Sequence, residues 1–129
     1  MIVLDTHAWV WWMTTPEKLG KKAARAIDRA GAIGVPAICA WEIAMKARAG
    51  KLRFDRPCDV WLEDALAEDP RVHILPLSPR VAVAAVELSW DHGDPADRFI
   101  VATAQTLQAA LVTCDERIHG SKLVRCVWD

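Results

Sequence analysis

Short apolar runs alternate with longer stretches in which apolar residues recur every three or four positions, the pattern of strands separated by helices. Ile2-Val3-Leu4 reads as a short buried strand. A helical region follows from Thr6 to Met13 and breaks at Thr14-Thr15-Pro16. Pro16 suits a first helical turn, after which Leu19, Ala23, Ala26, Ile27 and Ala30 keep helical spacing. Gly31 and Gly34 bracket a turn, with Ile33 to Val35 as a second short strand. Ala37 to Ala49 is helical, with Ile38, Trp41 and Met45 on one stripe and Gly50 as a stop. Cys58 to Ala67 is a further amphipathic helix, Val72 to Leu75 a third strand and Pro79 to Leu88 the next helix. Past the loop Ser89 to Gly93 come a helix from Asp94 to Leu107 and a strand from Ala110 to Cys114. A helical turn from Glu116 to His119 and an edge strand within Val124 to Trp128 complete the alternation.

Strands separated by helices require crossover connections, hence parallel pairing with helices on both faces. The expected class is α/β: a three-layer sandwich around a mainly parallel sheet of roughly five strands. No repeat, linker or low-complexity stretch interrupts it, so residues 1–129 are expected to be a single domain.

Composition changes this picture little. A hydrophobic fraction of 53% with 26% charged residues excludes a disordered chain. No apolar run approaches the ~18 residues of a membrane span, and no basic segment precedes the first apolar run as in a signal peptide. Cys39, Cys58, Cys114 and Cys126 show neither CxxC nor zinc-type spacing, so buried, reduced thiols in a cytoplasmic protein are expected. A net charge of −1 excludes a general polyanion binder; nucleic-acid affinity would need a local basic patch or bound metal.

Four acidic residues carry the candidate chemistry. Asp5 ends the first apolar run and Asp115 follows the late one. Glu42 lies inside a helical pattern and Asp97 opens another. Strand-end residues point to the sheet edge where α/β proteins bind ligands, and right-handed crossovers bring Asp5 and Asp115 to the same edge. Converging carboxylates repel unless a cation separates them, which points to Mg²⁺ or Mn²⁺. Each also suits a plain role. Asp5 and Asp115 can cap the helices that follow them, while Asp94-Pro95-Ala96-Asp97 has the form of a cap, a first-turn proline and a third-position acid. Glu42, set in Ile38-Cys39-Ala40-Trp41-Glu42-Ile43-Ala44-Met45, is either solvent-facing or a buried charge that needs a partner.

The run Leu4-Asp5-Thr6-His7-Ala8 with Trp11, then Trp41-Glu42-Ile43-Ala44-Met45-Lys46, resembles a PIN domain. So do His92-Gly93-Asp94-Pro95-Ala96-Asp97-Arg98-Phe99-Ile100-Val101-Ala102-Thr103-Ala104 and Leu111-Val112-Thr113-Cys114-Asp115-Glu116-Arg117-Ile118. Together they look most like the VapC toxins of toxin–antitoxin pairs. The resemblance implies a PIN-like fold and a metal-dependent endoribonuclease, with Asp5, Glu42, Asp97 and Asp115 as its acidic quartet. Asp5 and Asp97 would hold Mg²⁺ (or Mn²⁺) directly; Glu42 and Asp115 would hold its waters or a second ion. It also implies two protein partners, an antitoxin and a second copy of the chain. Related sequences often carry Ser where this chain has Pro36 and Cys39, a departure that bears on the water network beside Glu42.

Thr6 and Thr113, beside two of the acids, could donate hydrogen bonds that orient carboxylates, and Asp94 would support them as a cap. Arg98 could reach the scissile phosphate or pair with an acid at the rim. Lys46, Arg48, Lys51, Arg53 and Arg56 suit a phosphate track, or equally a solvated helix end whose charge complements the dipole. Lys18, Lys21, Lys22, Arg25 and Arg29 are expected to be the wet face of an early helix. His7 and His92 flank the acidic blocks, where a proton-transfer role competes with an ordinary helix-end or loop role. Among seven Trp, the crowded Trp9, Trp11 and Trp12 are expected to leave at least one ring facing a partner. A PIN fold that binds RNA or a partner without cutting is the main alternative. A receiver-like domain lacks its mid-strand acceptor Asp, because Val72-His73-Ile74-Leu75-Pro76 offers none, and Asp5-Thr6-His7 lacks the second Asp of a dehalogenase-type phosphatase.

Overall fold

In the computed structural model, which describes residues 1–129, β1 (Ile2–Leu4) is the middle strand of a five-stranded sheet. It is followed by α1 (Thr6–Thr14), a 3₁₀ turn at Pro16–Lys18, α2 (Lys21–Arg29), β2 (Ile33–Pro36), α3 (Ala37–Arg48) and α4 (Cys58–Ala67). Then come β3 (Val72–Leu75), α5 (Pro79–Glu87), α6 (Pro95–Thr106), β4 (Ala110–Val112), α7 (Glu116–Ser121) and β5 (Cys126–Val127). Every neighbouring pair is parallel, in the order β3-β2-β1-β4-β5. The expected α/β class and mainly parallel, five-stranded sheet are therefore what the chain adopts.

β1 takes the centre because it is too apolar to lie at an edge. Val3 and Leu4 are buried, as are their neighbours Ile33 and Val35 on β2 and Leu111 and Val112 on β4. The Asp5 amide donates to the Val112 carbonyl at 3.1 Å, so the ladder runs one residue past the strand and fixes where Asp5 leaves the sheet. Trp9, fully buried, packs against Trp61, which stacks on Phe54. Trp11 and Trp12 are half-buried, which resolves the crowding in α1.

Two expectations need correction. The buried stripe of α3 is Cys39 and Ile43, whereas Trp41 and Met45 are 55% and 46% exposed. Two residues further along an α-helix stand about 200° round its axis, so Trp41 cannot share the face of Cys39. Trp41 is thus the most exposed of the seven Trp, while Trp11 and Trp12 in α1 each keep part of their surface open. Of the four free thiols only Cys39 is fully buried; Cys58, Cys114 and Cys126 are partly so.

The last strand is tied down by α2. The Ala23 amide donates to the Trp128 carbonyl at 2.8 Å, and Gly20 lies so close that an added Cβ would collide with that carbonyl. Trp128 in turn packs on Trp11, with ring centroids 5.8 Å apart. Gly20→Ala should therefore destabilise the fold by about 1–3 kcal/mol, because overpacking outweighs the few tenths gained from a stiffer unfolded chain. Denaturant unfolding measures this, and an unchanged or raised midpoint would show that the tail is not held as described.

Candidate functional site

The strand order steps outward from β1 to β2 and β3, then reverses to β4 and β5, which opens a crevice beyond the carboxyl ends of β1 and β4. A pocket of about 320 Å³ occupies that crevice and is lined by Asp5, Glu42, Asp97 and Asp115. The four acids come from four places in the chain: the end of β1, the middle of α3, the first turn of α6 and the start of α7. Asp94 joins them, as do Thr6, His7, Trp11, Lys46 and Arg117.

Capping and convergence turn out to be the same fact. Asp5 Oδ1 accepts from the Ala8 amide at 2.9 Å, Asp94 Oδ1 from the Asp97 amide at 3.2 Å, and Asp115 Oδ1 from the Arg117 and Ile118 amides. Three helix N-termini thus face one pocket, and their unsatisfied donors help to hold the carboxylates there.

Asp5 is the acid under most strain. It is 6% exposed, and its pKa is raised from 3.8 to about 6. Burial is the main cause, and the charges of Asp97 and Asp115 add to it; the Thr113 hydroxyl and the Ala8 amide pull the other way. Glu42 is also raised, chiefly by burial, while Thr6 and Lys46 favour its ionised form. The Thr6 hydroxyl donates to Glu42 Oε1, which fixes a side chain projecting from mid-helix. Asp97 is raised by burial and by Asp94 and Asp115, and is opposed by His92, whose Nε2 lies 2.7 Å from Asp97 Oδ2. His92, Asp94 and Asp97 present ligand atoms within 4.8 Å of one another. Thr113 is buried behind the pocket, where its hydroxyl also accepts from the Asp115 amide at 3.0 Å.

Arg98 is not where it was expected. Its guanidinium donates to the carbonyls of Ala85, Val86, Leu88, Trp90 and His92, and the residue does not line the pocket. The orphan carbonyls at the end of α5 offer it more acceptors than the rim does, so it clamps the loop that carries His92 and Asp94. Of the proposed cationic track only Lys46 lines the pocket, with Nζ 3.5 Å from His7 Nε2. Arg48, Lys51 and Arg53 lie outside its walls, since α3 ends at Arg48 and carries the chain onward. Arg56 is committed to ion pairs with Asp55 and Asp64. Arg117, which sequence reasoning passed over, does line the pocket, 3.9 Å from Asp115. Its place two residues after the cap of a short helix was the available signal. Cys39 lies buried with its thiol towards the Leu4 carbonyl, at the weak-contact distance of 4.0 Å, and adds no strong donor.

The donor set suits a hard divalent cation. Five carboxylates face only two permanent cations, Lys46 and Arg117, and three of the five are harder to ionise than usual. Oxygen donors with a surplus of negative charge match Mg²⁺ or Mn²⁺. A larger cleft of about 450 Å³ under Trp12 and Trp61 is also acidic, but two of its acids are already neutralised, Asp64 by Arg56 and Asp69 by Arg71.

Comparison with known proteins agrees with this fold. A family model described as PIN domain matches residues 2–120. Ribonuclease VapC22 of Mycobacterium tuberculosis is 38% identical over 127 residues, covering 98% of this chain and 95% of that protein. Among solved structures, the chain is similar to VapBC2 from Rickettsia felis bound to a promoter DNA fragment, with a TM-score of 0.72 and 18% identity over the full length of both chains. It is also similar to FitAcB from Neisseria gonorrhoeae, with a TM-score of 0.70 and 20% identity over 98% of this chain and 96% of that one.

The raised pKa of Asp5 carries a sign. Below about pH 4 the carboxyl is protonated both folded and unfolded; above that, the unfolded chain ionises first, and folding loses stability until about pH 6. In EDTA, Asp5→Asn keeps the capping oxygen and removes this cost. Its expected effect at pH 7 is a gain of about 2–3 kcal/mol, shrinking to nothing near pH 3.5. Urea unfolding across this range checks it, and a loss of stability at neutral pH would contradict it.

Proposed function

Because the chain belongs to the PIN-domain family, we propose that it is a metal-dependent endoribonuclease and the toxin of a toxin–antitoxin pair, acting as one domain over residues 1–129. The observation that carries this reading is the meeting of Asp5, Glu42, Asp97 and Asp115 in one pocket at the reversal of the sheet. The 38% identity to a protein named as a ribonuclease supports the substrate class.

Asp5 and Asp97 would hold Mg²⁺ or Mn²⁺ directly, with Glu42 and Asp115 holding its waters or a second ion. Such an ion supplies charge neutralisation at the phosphodiester and an acidified water at neutral pH. The protein's own groups do the positioning. Thr6 aims Glu42, the Ala8 amide and Thr113 hold Asp5, and His92 holds Asp97. Asp94 supports Asp97 through its amide. Lys46 and Arg117 stand on the pocket wall, where they can meet phosphate oxygens. His7 is shifted towards its neutral form by burial and by Lys46, so it is free to exchange a proton rather than to bind phosphate as a cation.

Two protein partners fit the surface. The similarity to VapBC2 and FitAcB supports an antitoxin, and Trp41 and Met45 expose apolar surface on α3, the helix that bears Glu42. A second copy of the chain is the other. Four unpaired thiols accord with a cytoplasmic, reducing setting.

Purified protein should cleave structured RNA in Mg²⁺ or Mn²⁺, and EDTA, Asp5→Asn or Asp97→Asn should abolish cleavage. Thr6→Val, which leaves Glu42 unoriented, should lower the rate about 10–100-fold. Folded protein that binds the metal yet cuts no RNA would leave a binding role only, and failure to bind metal would end the mechanism. Light scattering at tens of micromolar should give a dimer mass; a monomer would remove the second copy from the account.

A further inference from the structure

The face of α2 expected to be merely solvated lines a groove of about 660 Å³ against β5, and its character is basic. Lys22, Arg25 and Arg29 project from α2, Arg125 faces them from the segment entering β5, and Asp129 is the one acid on the wall. All four cations are exposed, and none is within ion-pair distance of a carboxylate. This sets them apart from Arg56, Arg71 and Arg98, whose guanidinium groups are spent on the fold. Gathering unpaired cations on one wall costs repulsion, and a bound polyanion relieves it.

The groove also leads to the acidic pocket. Trp128 lines it, and so does His119; both also line a cleft shared with Glu116 and with Cys114, the latter itself on the wall of the acidic pocket. Trp128 packs on Trp11, another residue of the pocket wall, and Lys18 lies 5.8 Å above the Trp11 ring. Cations flanking two partly exposed indoles, ending at a cluster of carboxylates, match a single strand whose phosphates run along the basic wall and whose bases lie against the rings. An acidic peptide would use the charges but would have no need of the continuous path to the pocket.

We propose that the α2–β5 groove is the track that holds single-stranded RNA and leads it past Trp128 and Trp11 into the acidic pocket. This rests on the nuclease reading, and it builds the track from α2 and β5 rather than from the residues that follow Lys46.

The test is fluorescence anisotropy of a labelled oligouridylate about a dozen nucleotides long, in EDTA, across a salt series. Wild type is compared with Arg25→Glu, Arg125→Glu and their double variant. Arg80→Glu, on α5 away from the groove, controls for the change in net charge. Circular dichroism establishes that each variant is folded, and cleavage of RNA in Mn²⁺ is followed in parallel. The expected result is a loss of affinity of at least about tenfold for each groove variant and more for the double, with a salt slope shallower by roughly 0.7 for each phosphate no longer neutralised. Arg80→Glu should fall far less. Equal losses in Arg80→Glu and the groove variants, or RNA cleavage without groove-dependent binding, would overturn the track and leave the nuclease standing. A wild-type chain that neither binds nor cleaves RNA would overturn both.

Discussion

Burial of carboxylates crowded together at the reversal of the sheet is the constraint on which the rest of this molecule turns. Asp5 sits at the centre of it, buried at the end of the middle strand and unable to move away, because its amide is pinned to β4 and its carboxylate caps α1. Burial and the charges of Asp97 and Asp115 make its ionisation costly. A folded domain gains nothing in stability from such a group, since a neutral cap would serve as well. The arrangement makes sense as a site that is unfavourable when empty of positive charge and favourable when a divalent ion enters.

The surroundings show how the crowding is held in place. Three helix N-termini aim their donors at the acids, Thr6 and Thr113 supply hydroxyls, and His92 braces Asp97. Arg98 does the same work at one remove. By gathering three carbonyls at the end of α5 and those of Trp90 and His92 beyond it, Arg98 fixes the loop that delivers His92 and Asp94. Cations needed for the fold are thus paired or sequestered, while those on α2 and beside β5 remain free along the groove.

Much of this was legible in the chain. Apolar runs of three or four residues ending in Asp marked β1 and β4, and the alternation with helices dictated parallel pairing, which in turn placed Asp5 beside Asp115. Glu42 stood out because a charge in an apolar helix needs a partner, and Thr6 is that partner. Other features depend on packing that local sequence does not encode. The apolar period of α3 admits more than one buried face, and only its neighbours select Cys39 and Ile43 over Trp41 and Met45. Arg98 beside Asp97 read as a site cation, yet successive helix positions point about 100° apart, and the open end of α5 claimed it. The basic groove was hidden for a similar reason: Arg125 is about a hundred positions from α2, and only the sheet order brings them together.

The most direct test of the central claim is anomalous scattering from a crystal grown at neutral pH and soaked in Mn²⁺. The account predicts an anomalous peak at the carboxyl end of β1, within ligand distance, about 2.0–2.3 Å, of oxygens from Asp5 and Asp97. A pocket without manganese, in a crystal whose Asp5 and Asp97 carboxylates are ordered and open to solvent, would contradict it.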